Sequence, residues 1–382
     1  MRIAFDAKRL FNNNTGLGNY SRTIVRGLRE AFPDNDYLLF TPRANENALT
    51  HSFLHDDRYE VFTPKRKFLN SFWRTFSMGK AAARAGADIF HGLSHELPTG
   101  LRNRGVHSVL TVHDVAFKTF TDMYHWHDRQ IYDMKLRHAC RQAEAIVAIS
   151  ESTKRDVMRF YHVDEKKIHV IYQPVQDIFY TPFTQKEARE MIHEQLPALP
   201  DDFMLYVGTV NSRKNLMGIV QAMEGVSADL IPPLVIVGRG GGYKEKVSNY
   251  ISSHRLGNRF IWIENLSDNQ LLKALYTCAH LFLYPSFYEG FGLPVVEAQL
   301  SGCPVLTSQV SSLPEAGGEA ALLVNPRSPD DIRSGIERFF SDSKLQQDMV
   351  QQGRHHAETM FNPVELALQM MSLYQKLTIH PD

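Results

Sequence analysis

The chain has 382 residues, more than one ordinary core accommodates, and at about 100–200 residues per domain it points to two domains. Hydrophobic residues make up 43% and charged residues 22%, the balance of a soluble globular protein rather than a disordered or fibrous one. Lys plus Arg and Asp plus Glu number 42 each, and this zero formal charge argues against bulk nucleic-acid binding.

Three cysteines, Cys140, Cys278 and Cys303, without a Cys-x-x-Cys fit neither a disulfide framework nor a zinc site and suit a reducing cytosol. Residues 1–7 enter a strand pattern with no charged-then-apolar leader, and no run approaches the about 18 apolar residues of a membrane span. The expectation is a cytoplasmic protein, at most peripheral at the inner membrane face.

In chain order, residues 3–7 form the first predicted strand. A loop rich in Asn (Asn12, Asn13, Asn14) leads to Thr15-Gly16-Leu17-Gly18, and residues 19–32 read as a helix because Ile24, Val25, Leu28, Ala31 and Phe32 recur at helical spacing. A Gly-x-Gly between strand and helix can admit a phosphate or a sugar, but the third glycine of a dinucleotide fingerprint is missing, and a plain glycine-rich connection explains it equally well. Short apolar or β-branched runs follow at 37–41, 59–63, 88–91, 109–112, 145–149 and 168–172, most separated by helical patterns. This βαβ rhythm predicts a parallel sheet covered on both faces.

His113 and Asp114 stand just past the 109–112 strand, at the end where such sheets carry their chemistry, although most histidines outside a motif are simply hydrogen-bonded or exposed. Ser150 to Thr153 offers helix N-caps, a structural role. Asp34-Asn35-Asp36 follows Pro33 and reads as turn chemistry rather than a nucleotide-metal site. Lys65-Arg66-Lys67-Phe68 with Phe72, Trp73, Arg74 and Phe76 is either a basic, aromatic face for an anionic membrane surface or a set of aromatics packed into the first domain.

Pro174, Pro182, Pro197 and Pro200 surround a short helical piece at 186–195 and mark the domain junction. The boundaries read as 1–178 for an N-terminal domain, 179–362 for a C-terminal domain, and 363–382 for a helix expected to reach back to the first. Alternation restarts with strands at 204–207, 234–237, 260–263, 281–284, 304–307 and 321–324, then helices at 330–340 and 364–377.

Three stretches of this second half carry chemistry. Gly208 to Leu216 joins a strand to a helix and places Arg213 and Lys214 at a helix N-terminus, where cations are unfavourable unless an anion such as a diphosphate accompanies them. Gly238-Arg239-Gly240-Gly241-Gly242 and Glu264-Asn265-Leu266 end two further strands; together they suggest NAD, but the glycine spacing is wrong. Pro285 to Glu297 joins an apolar strand to a helix opened by Pro294, with glycines that let a ligand approach the backbone and helix N–H groups that attract anions. Glu289 lies in the loop and Glu297 in the expected first helical turn, flanking this anion trap. The plainer reading makes Glu289 a solvated residue and Glu297 a complement to the helix dipole.

Glu-x7-Glu around Gly-Phe-Gly-Leu-Pro, continuing to Glu297-Ala298-Gln299-Leu300-Ser301-Gly302-Cys303-Pro304-Val305, resembles the donor-site signature of retaining glycosyltransferases of the GT-B fold, family 4. Asp6-Ala7 with Thr15 to Tyr20, Gly208-Thr209 with Arg213-Lys214-Asn215, and Ser311-Ser312-Leu313-Pro314-Glu315 extend the likeness, which is strongest to bacterial mannosyltransferases of O-antigens and related polysaccharides. The resemblance implies an α/β fold of two Rossmann-like, doubly wound domains facing across a cleft. It implies that Arg213 and Lys214 hold a nucleotide diphosphate, Glu289 the hydroxyls of the donor sugar, and Glu297 the ribose. Gly290, Phe291, Gly292 and Leu293 would offer backbone N–H groups to sugar and phosphate. Gly208 belongs to the diphosphate loop, and Asn265 and Leu266 border the base. Gly16 and Gly18 approach the diphosphate from the other domain, and His113 faces the reacting sugar. Lys8 and Asn19 stand where the family commonly has Arg, at the acceptor-side rim.

The implied reaction is transfer of a sugar, with mannose from GDP-mannose as the suggested donor, to a glycan or lipid-linked acceptor, without cofactor or metal. The leaving diphosphate itself takes the acceptor proton. Three rivals remain open at this stage: a nucleotide-sugar epimerase of the same fold, an NAD-dependent dehydrogenase, and a non-catalytic binding subunit.

Overall fold

In Arg2–Asp6 (β1), Ile3 and Phe5 pack with Tyr37 and Leu39 into one hydrophobic cluster, whereas Ala4 packs with Leu38 and Phe40 into another. A strand alternates its side chains between faces, so a run apolar at successive positions belongs in a sheet buried on both sides. The structure, a computed structural model, describes residues 1–64, 72–181 and 183–379. It contains two such sheets, one in each of two units, Met1–Pro174 with Phe361–Asp382 and Val175–Met360.

In the first unit β1 is joined by Asp36–Phe40 (β2), Tyr59–Phe62 (β3), Ile89–Gly92 (β4), His107–Val112 (β5), Ala145–Ala148 (β6) and Ile168–Val170 (β7). Their order is β3-β2-β1-β4-β5-β6-β7, every pairing parallel. The second unit holds Met204–Val207 (β8), Leu234–Val237 (β9), Phe260–Ile263 (β10), Phe282–Tyr284 (β11), Val305–Ser308 (β12) and Leu322–Val324 (β13). These lie in the order β10-β9-β8-β11-β12-β13, again parallel. Each strand falls on an apolar run read from the sequence, and each unit is doubly wound. The strand order reverses between β1 and β4 and between β8 and β11. At such a reversal the loops beyond the strands' C-terminal ends diverge and leave a crevice, where open α/β sheets bind ligands.

The helix Pro363–Ile379 belongs to the first unit: its Leu366, Met370 and Tyr374 share a cluster with Ile24 and Leu28 of the helix Gly16–Ala31. A buried polar chain ties it further. Tyr374 Oη shares a hydrogen bond with His91 Nδ1 (2.6 Å), His91 Nε2 with Thr111 Oγ1 (2.7 Å), and that hydroxyl with Tyr20 Oη (3.1 Å). Burial pushes His91 down to about 3, so the ring is neutral and bonded at both nitrogens.

Two elements differ from the reading. The helix Ser343–Met360 was not foreseen, because its only buried residues are Met349, Gly353 and Ala357, too thin an apolar stripe to register. The expected Asn-rich loop after β1 is partly helical, Lys8–Asn12, and the next helix opens at Gly16 rather than Asn19. Ser150 does cap the helix Glu151–Tyr161, accepting from Thr153 N. Lys65, Arg66, Lys67 and Phe68 lie outside the described residues. Beside them, Phe72 and Phe76 are exposed with their ring centroids 4.8 Å apart, Trp73 packs on the core, and Arg74 is buried.

Tyr374→Phe keeps the packing but strands one buried nitrogen of His91. It should lower unfolding free energy by about 1–3 kcal/mol in urea titrations. A change under about 0.5 kcal/mol would mean that apolar packing alone seats the C-terminal helix.

Candidate active site

β8 and β11 flank the second unit's reversal, and the two loops marked out in the sequence leave from their C-terminal ends. The loops are laced together. Phe287 N–H donates to Arg213 O (2.9 Å), while Asn215 Nδ2 donates to Pro285 O (3.1 Å) and to Pro326 O (2.7 Å). Asn215 itself is left-handed, φ 57°, a conformation Asn tolerates better than most residues. Asn211 Oδ1 accepts from Lys214 N (3.1 Å) and shapes the turn Ser212–Lys214 that presents both cations.

At the meeting point sits the carboxylate of Glu289, 8% exposed. Arg213 Nη1 lies 2.7 Å from Oε2 and Lys214 Nζ 2.7 Å from Oε1. Tyr284, the last residue of β11, donates its hydroxyl to Oε1 at 3.2 Å and accepts from Lys214 Nζ. Burial pushes Glu289 up, but the Lys214 and Arg213 cations outweigh it and hold the carboxyl below its usual range. Cations placed before a helix N-terminus needed a partner anion, and within the protein that anion is Glu289.

The loop backbone is held as firmly. Glu289 N donates to Ser311 Oγ (3.1 Å), and Ser312 Oγ donates to Glu289 O (2.8 Å) and Phe291 O (2.6 Å). Ser311 is left-handed at φ 62°, a strain of about 1–3 kcal/mol that persists only where surrounding contacts enforce it. Gly292, at φ 125°, caps the helix Leu293–Leu300; that conformation strains any L side chain, and a Cβ there would crowd Leu313 and Ala316 at 3.0 and 3.1 Å. Tyr288 and Phe291 are buried, while Gly290 and Leu293 are only partly so.

Glu297 corrects the reading. It is not in the first turn of that helix, which contains no acidic residue, so the helix-dipole role falls. Its side chain is partly buried, accepts from Tyr276 Oη at 3.3 Å, and is pushed up to about 7 by burial. Gly208 follows β8 beside Lys214 and Tyr284. After β10, Asn265 Oδ1 accepts from Arg239, which also donates to Glu264 O at 3.0 Å, while Leu266 is half-buried.

In the first unit, both ring nitrogens of His113 are spent on the fold. Nε2 donates to Leu93 O (2.8 Å) and Nδ1 accepts from Gln173 Nε2 (2.7 Å). Burial, with His95 and Arg9 near, pushes it down to about 3, so it is a neutral ring rather than a proton acceptor. Gly18 lies inside the helix, not in an open loop. Its N–H donates to Asn13 Oδ1 at 3.2 Å, and a Cβ would collide with Asn13 O at 1.7 Å, so close packing explains this glycine; Gly16 faces open space. Asp34 and Asp36 lie at the N-terminal end of β2, away from the ligand-binding ends of the strands. Among the described residues one group has the spacing to hold a metal ion, the exposed Glu46, His51 and His55, and it includes none of the site residues.

Tyr284, Tyr276, Ser311 and Ser312 acquire roles that sequence reasoning did not assign. The signal for the tyrosines was their place, Tyr284 ending the strand before the motif. The serines stood within the quoted Ser-Ser-Leu-Pro-Glu, but without a partner to read.

A double-mutant cycle in the ligand-free protein, Glu289→Gln with Lys214→Met, should give a coupling of about 1–3 kcal/mol in chemical denaturation. A coupling below about 0.3 kcal/mol would identify the two as independent solvated charges.

With this geometry in view, comparison with known proteins is informative. Residues 14–177 match the model for Glycosyltransferase Family 4, and residues 188–356 the model for Glycosyl transferases group 1. The chain is 28% identical to O-antigen chain mannosyltransferase B of Escherichia coli, over 99% of this chain and 100% of that one. It is 27% identical to O-antigen chain mannosyltransferase RfbU of Salmonella typhimurium, over 87% and 89%. Sucrose-phosphate synthase from Thermosynechococcus elongatus matches with a TM-score of 0.79 at 21% identity, over 99% of both chains. Anabaena Alr3699/HepE, solved in complex with UDP, matches at 0.75 and 16%, over 99% of this chain and 100% of that one. At these identities the solved structures speak for the fold. The chain therefore belongs to glycosyltransferase family 4, with the GT-B fold, and is a hexosyltransferase.

Proposed function

We propose that this enzyme moves mannose from GDP-mannose to a glycan or lipid-linked saccharide, with retention at the anomeric carbon and without a metal. The observation that carries the reading is the Glu289 carboxylate seated between Arg213 and Lys214 where the β8 and β11 loops meet. Mannose as the sugar is suggested by the likeness to the two O-antigen mannosyltransferases, and a nucleotide diphosphate by the UDP held in Alr3699/HepE.

Arg213 and Lys214 are placed to draw in the diphosphate. As they engage it, Glu289 becomes available to hydroxyls of the sugar. When the bond from the anomeric carbon to the phosphate oxygen breaks, negative charge grows on the diphosphate and positive charge on the sugar ring. The two cations favour the first and Glu289 the second, from a site already organised for that charge distribution. The acceptor oxygen bonds to the anomeric carbon on the face the diphosphate leaves, and its proton passes to the departing phosphate oxygen. No side-chain base is required. His113, neutral and bonded at both nitrogens, acts here as a shaped wall.

Glu297 accepts the ribose hydroxyls, Gly290 to Leu293 supply N–H groups to sugar and phosphate, and Asn265 and Leu266 border the base. The enzyme works in the cytoplasm, with peripheral contact at the inner membrane face; the exposed Phe72 and Phe76 suit that contact. No helix among the described residues is long and apolar enough to cross a membrane.

Three measurements test the proposal. EDTA should leave turnover of GDP-mannose unchanged, whereas loss of activity restored by Mn²⁺ would defeat the metal-free mechanism. Glu297→Ala should weaken the donor about 10- to 150-fold, the worth of one charged hydrogen bond. With a donor lacking the ribose hydroxyls that penalty should largely vanish, while the Glu289→Ala penalty persists. An equal Glu297 penalty with both donors would make it a folding residue. Finally, hydroxyl donors favour the ionised carboxylate, so binding of GDP-mannose, whose diphosphate has no group titrating near neutrality, should release a proton from Glu297 at pH 6. Calorimetry in buffers of different ionisation enthalpy reads this directly, and Glu297→Gln should abolish it.

A further inference from the structure

The first unit has a crevice of its own at the β1/β4 reversal. It encloses about 240 Å³ and is lined by Lys8, Arg43, Arg74, Glu96 and Lys135, among others. Each comes from a different segment: Lys8 follows β1, Arg43 follows β2, Glu96 follows β4, Lys135 lies on the helix Trp126–Gln142, and Arg74 on the single π-turn Trp73–Ser77. Single π-turns recur at functional sites. This one drives a guanidinium into the crevice at 6% exposure.

Arg74 is the built part. Its Nε and Nη2 reach Asp6 Oδ2 at 2.7 and 2.5 Å, and its Nη1 reaches Glu96 Oε2 at 2.6 Å. Lys135 Nζ is 3.3 Å from the same Glu96 oxygen. Both carboxylates are therefore committed, while Lys8 and Arg43 have no ion-pair partner among the described residues. Lys8 is also half-buried, and burial and the neighbouring Arg74 push its ammonium down, which marks a cation short of counter-charge. Against Asp6 and Glu96, the four cations leave two positive charges in excess.

We propose that this crevice is an anion subsite of the acceptor side, in which Lys8, Arg43 and Lys135 grip a phosphate or diphosphate group carried by the acceptor while Arg74, fixed by Asp6 and Glu96, supports them. The inference rests on the reading of the chain as a glycosyltransferase with a separate acceptor. Cations converging from several directions with a double excess suit a dianionic tetrahedral group better than a planar carboxylate, which one bidentate Arg would satisfy. The volume is below the roughly 300–1,000 Å³ of a whole drug-sized ligand site, so it takes a head group, not a saccharide chain. The phosphate belongs to a lipid anchor or to a phosphorylated sugar, the same chemistry from two sources.

Two experiments on the full chain separate this idea from the transferase reading. The first needs no catalysis: calorimetric titration with inorganic pyrophosphate, with GDP saturating the donor site, should show binding that Lys8→Gln with Arg43→Gln weakens about 10-fold or more. Equal binding by wild type and variant overturns the subsite whether or not the enzyme transfers sugar. The second compares three synthetic acceptors with one shared sugar: a short alkyl diphosphate, a sugar phosphate, and a neutral alkyl glycoside. Selective loss of kcat/KM through KM, about 10-fold or more with either phosphorylated acceptor, supports the subsite and names the source. A loss equal across all three acceptors would overturn it. Arg43 is exposed, so Arg43→Gln alone carries both experiments if the double variant does not fold.

Discussion

A buried carboxylate must be neutralised, and the architecture of the second unit follows from how Glu289 meets that demand. Removing a carboxylate from water costs several kcal/mol even after relaxation, unless its partners arrive in good geometry. Both partners here stand on a different strand's loop from the carboxylate, so the pairing works only if two loops are held in register. That requirement accounts for features otherwise unrelated: Asn215 clamping two carbonyls, Ser311 and Ser312 fastening the Glu289 and Phe291 backbone, and Gly292 turning where a side chain would be strained and crowded. Three of these residues have positive φ, and two of them, Asn215 and Ser311, hold a side chain in that sparsely populated region. A charge distribution held this rigidly is what transition-state stabilisation by preorganisation requires.

Much of this is legible in the sequence itself. Among the described residues every strand falls on a run read from the sequence; in central strands such as 204–207 or 234–237, burial on both faces puts apolar residues at successive positions, which cannot be hidden. The motif loops were legible because glycine, proline and paired charges have few other uses in that arrangement. What escaped notice depended on partners distant in sequence. The ion pairs between 213–214 and 289 span more than seventy positions, and nothing local in Arg213-Lys214 announces that its anion is internal. Gly18, read from the resemblance as a glycine that approaches a diphosphate, also packs against the Asn13 backbone, and a contact of backbone with backbone leaves the same mark in sequence as an approach by phosphate. Helix Ser343–Met360 went unread because it buries so few side chains.

Glu289 and Glu297 belong to one short segment yet answer the cost of burial in opposite ways. Glu289 stays ionised because two cations outweigh its desolvation; Glu297 has only the Tyr276 hydroxyl, and burial pushes it up to about 7. The sign for stability follows. A carboxyl with a raised folded pKa binds its proton more tightly folded than unfolded, so its contribution falls as pH rises from the ordinary carboxylate range toward 7. Glu289, depressed, does the reverse and lends stability above its unfolded pKa that acid removes.

The two crevices also share a design that their sequences do not. At the β8/β11 reversal, two cations face one buried carboxylate; at the β1/β4 reversal, four cations face two carboxylates, with Arg74 the most deeply buried. In each case the internal anion is sufficient to make the burial of positive charge tolerable and insufficient to cancel it. A site fully neutralised from within would have no electrostatic reason to bind an anion, and one without internal carboxylates would repel its own cations and lose its shape. Under the proposed function, the residual positive charge is the quantity that acts on an anion. It is set by how many carboxylates each fold commits to its cations rather than by the number of basic residues, which is why a formal charge of zero over the whole chain is compatible with two crevices of local positive excess.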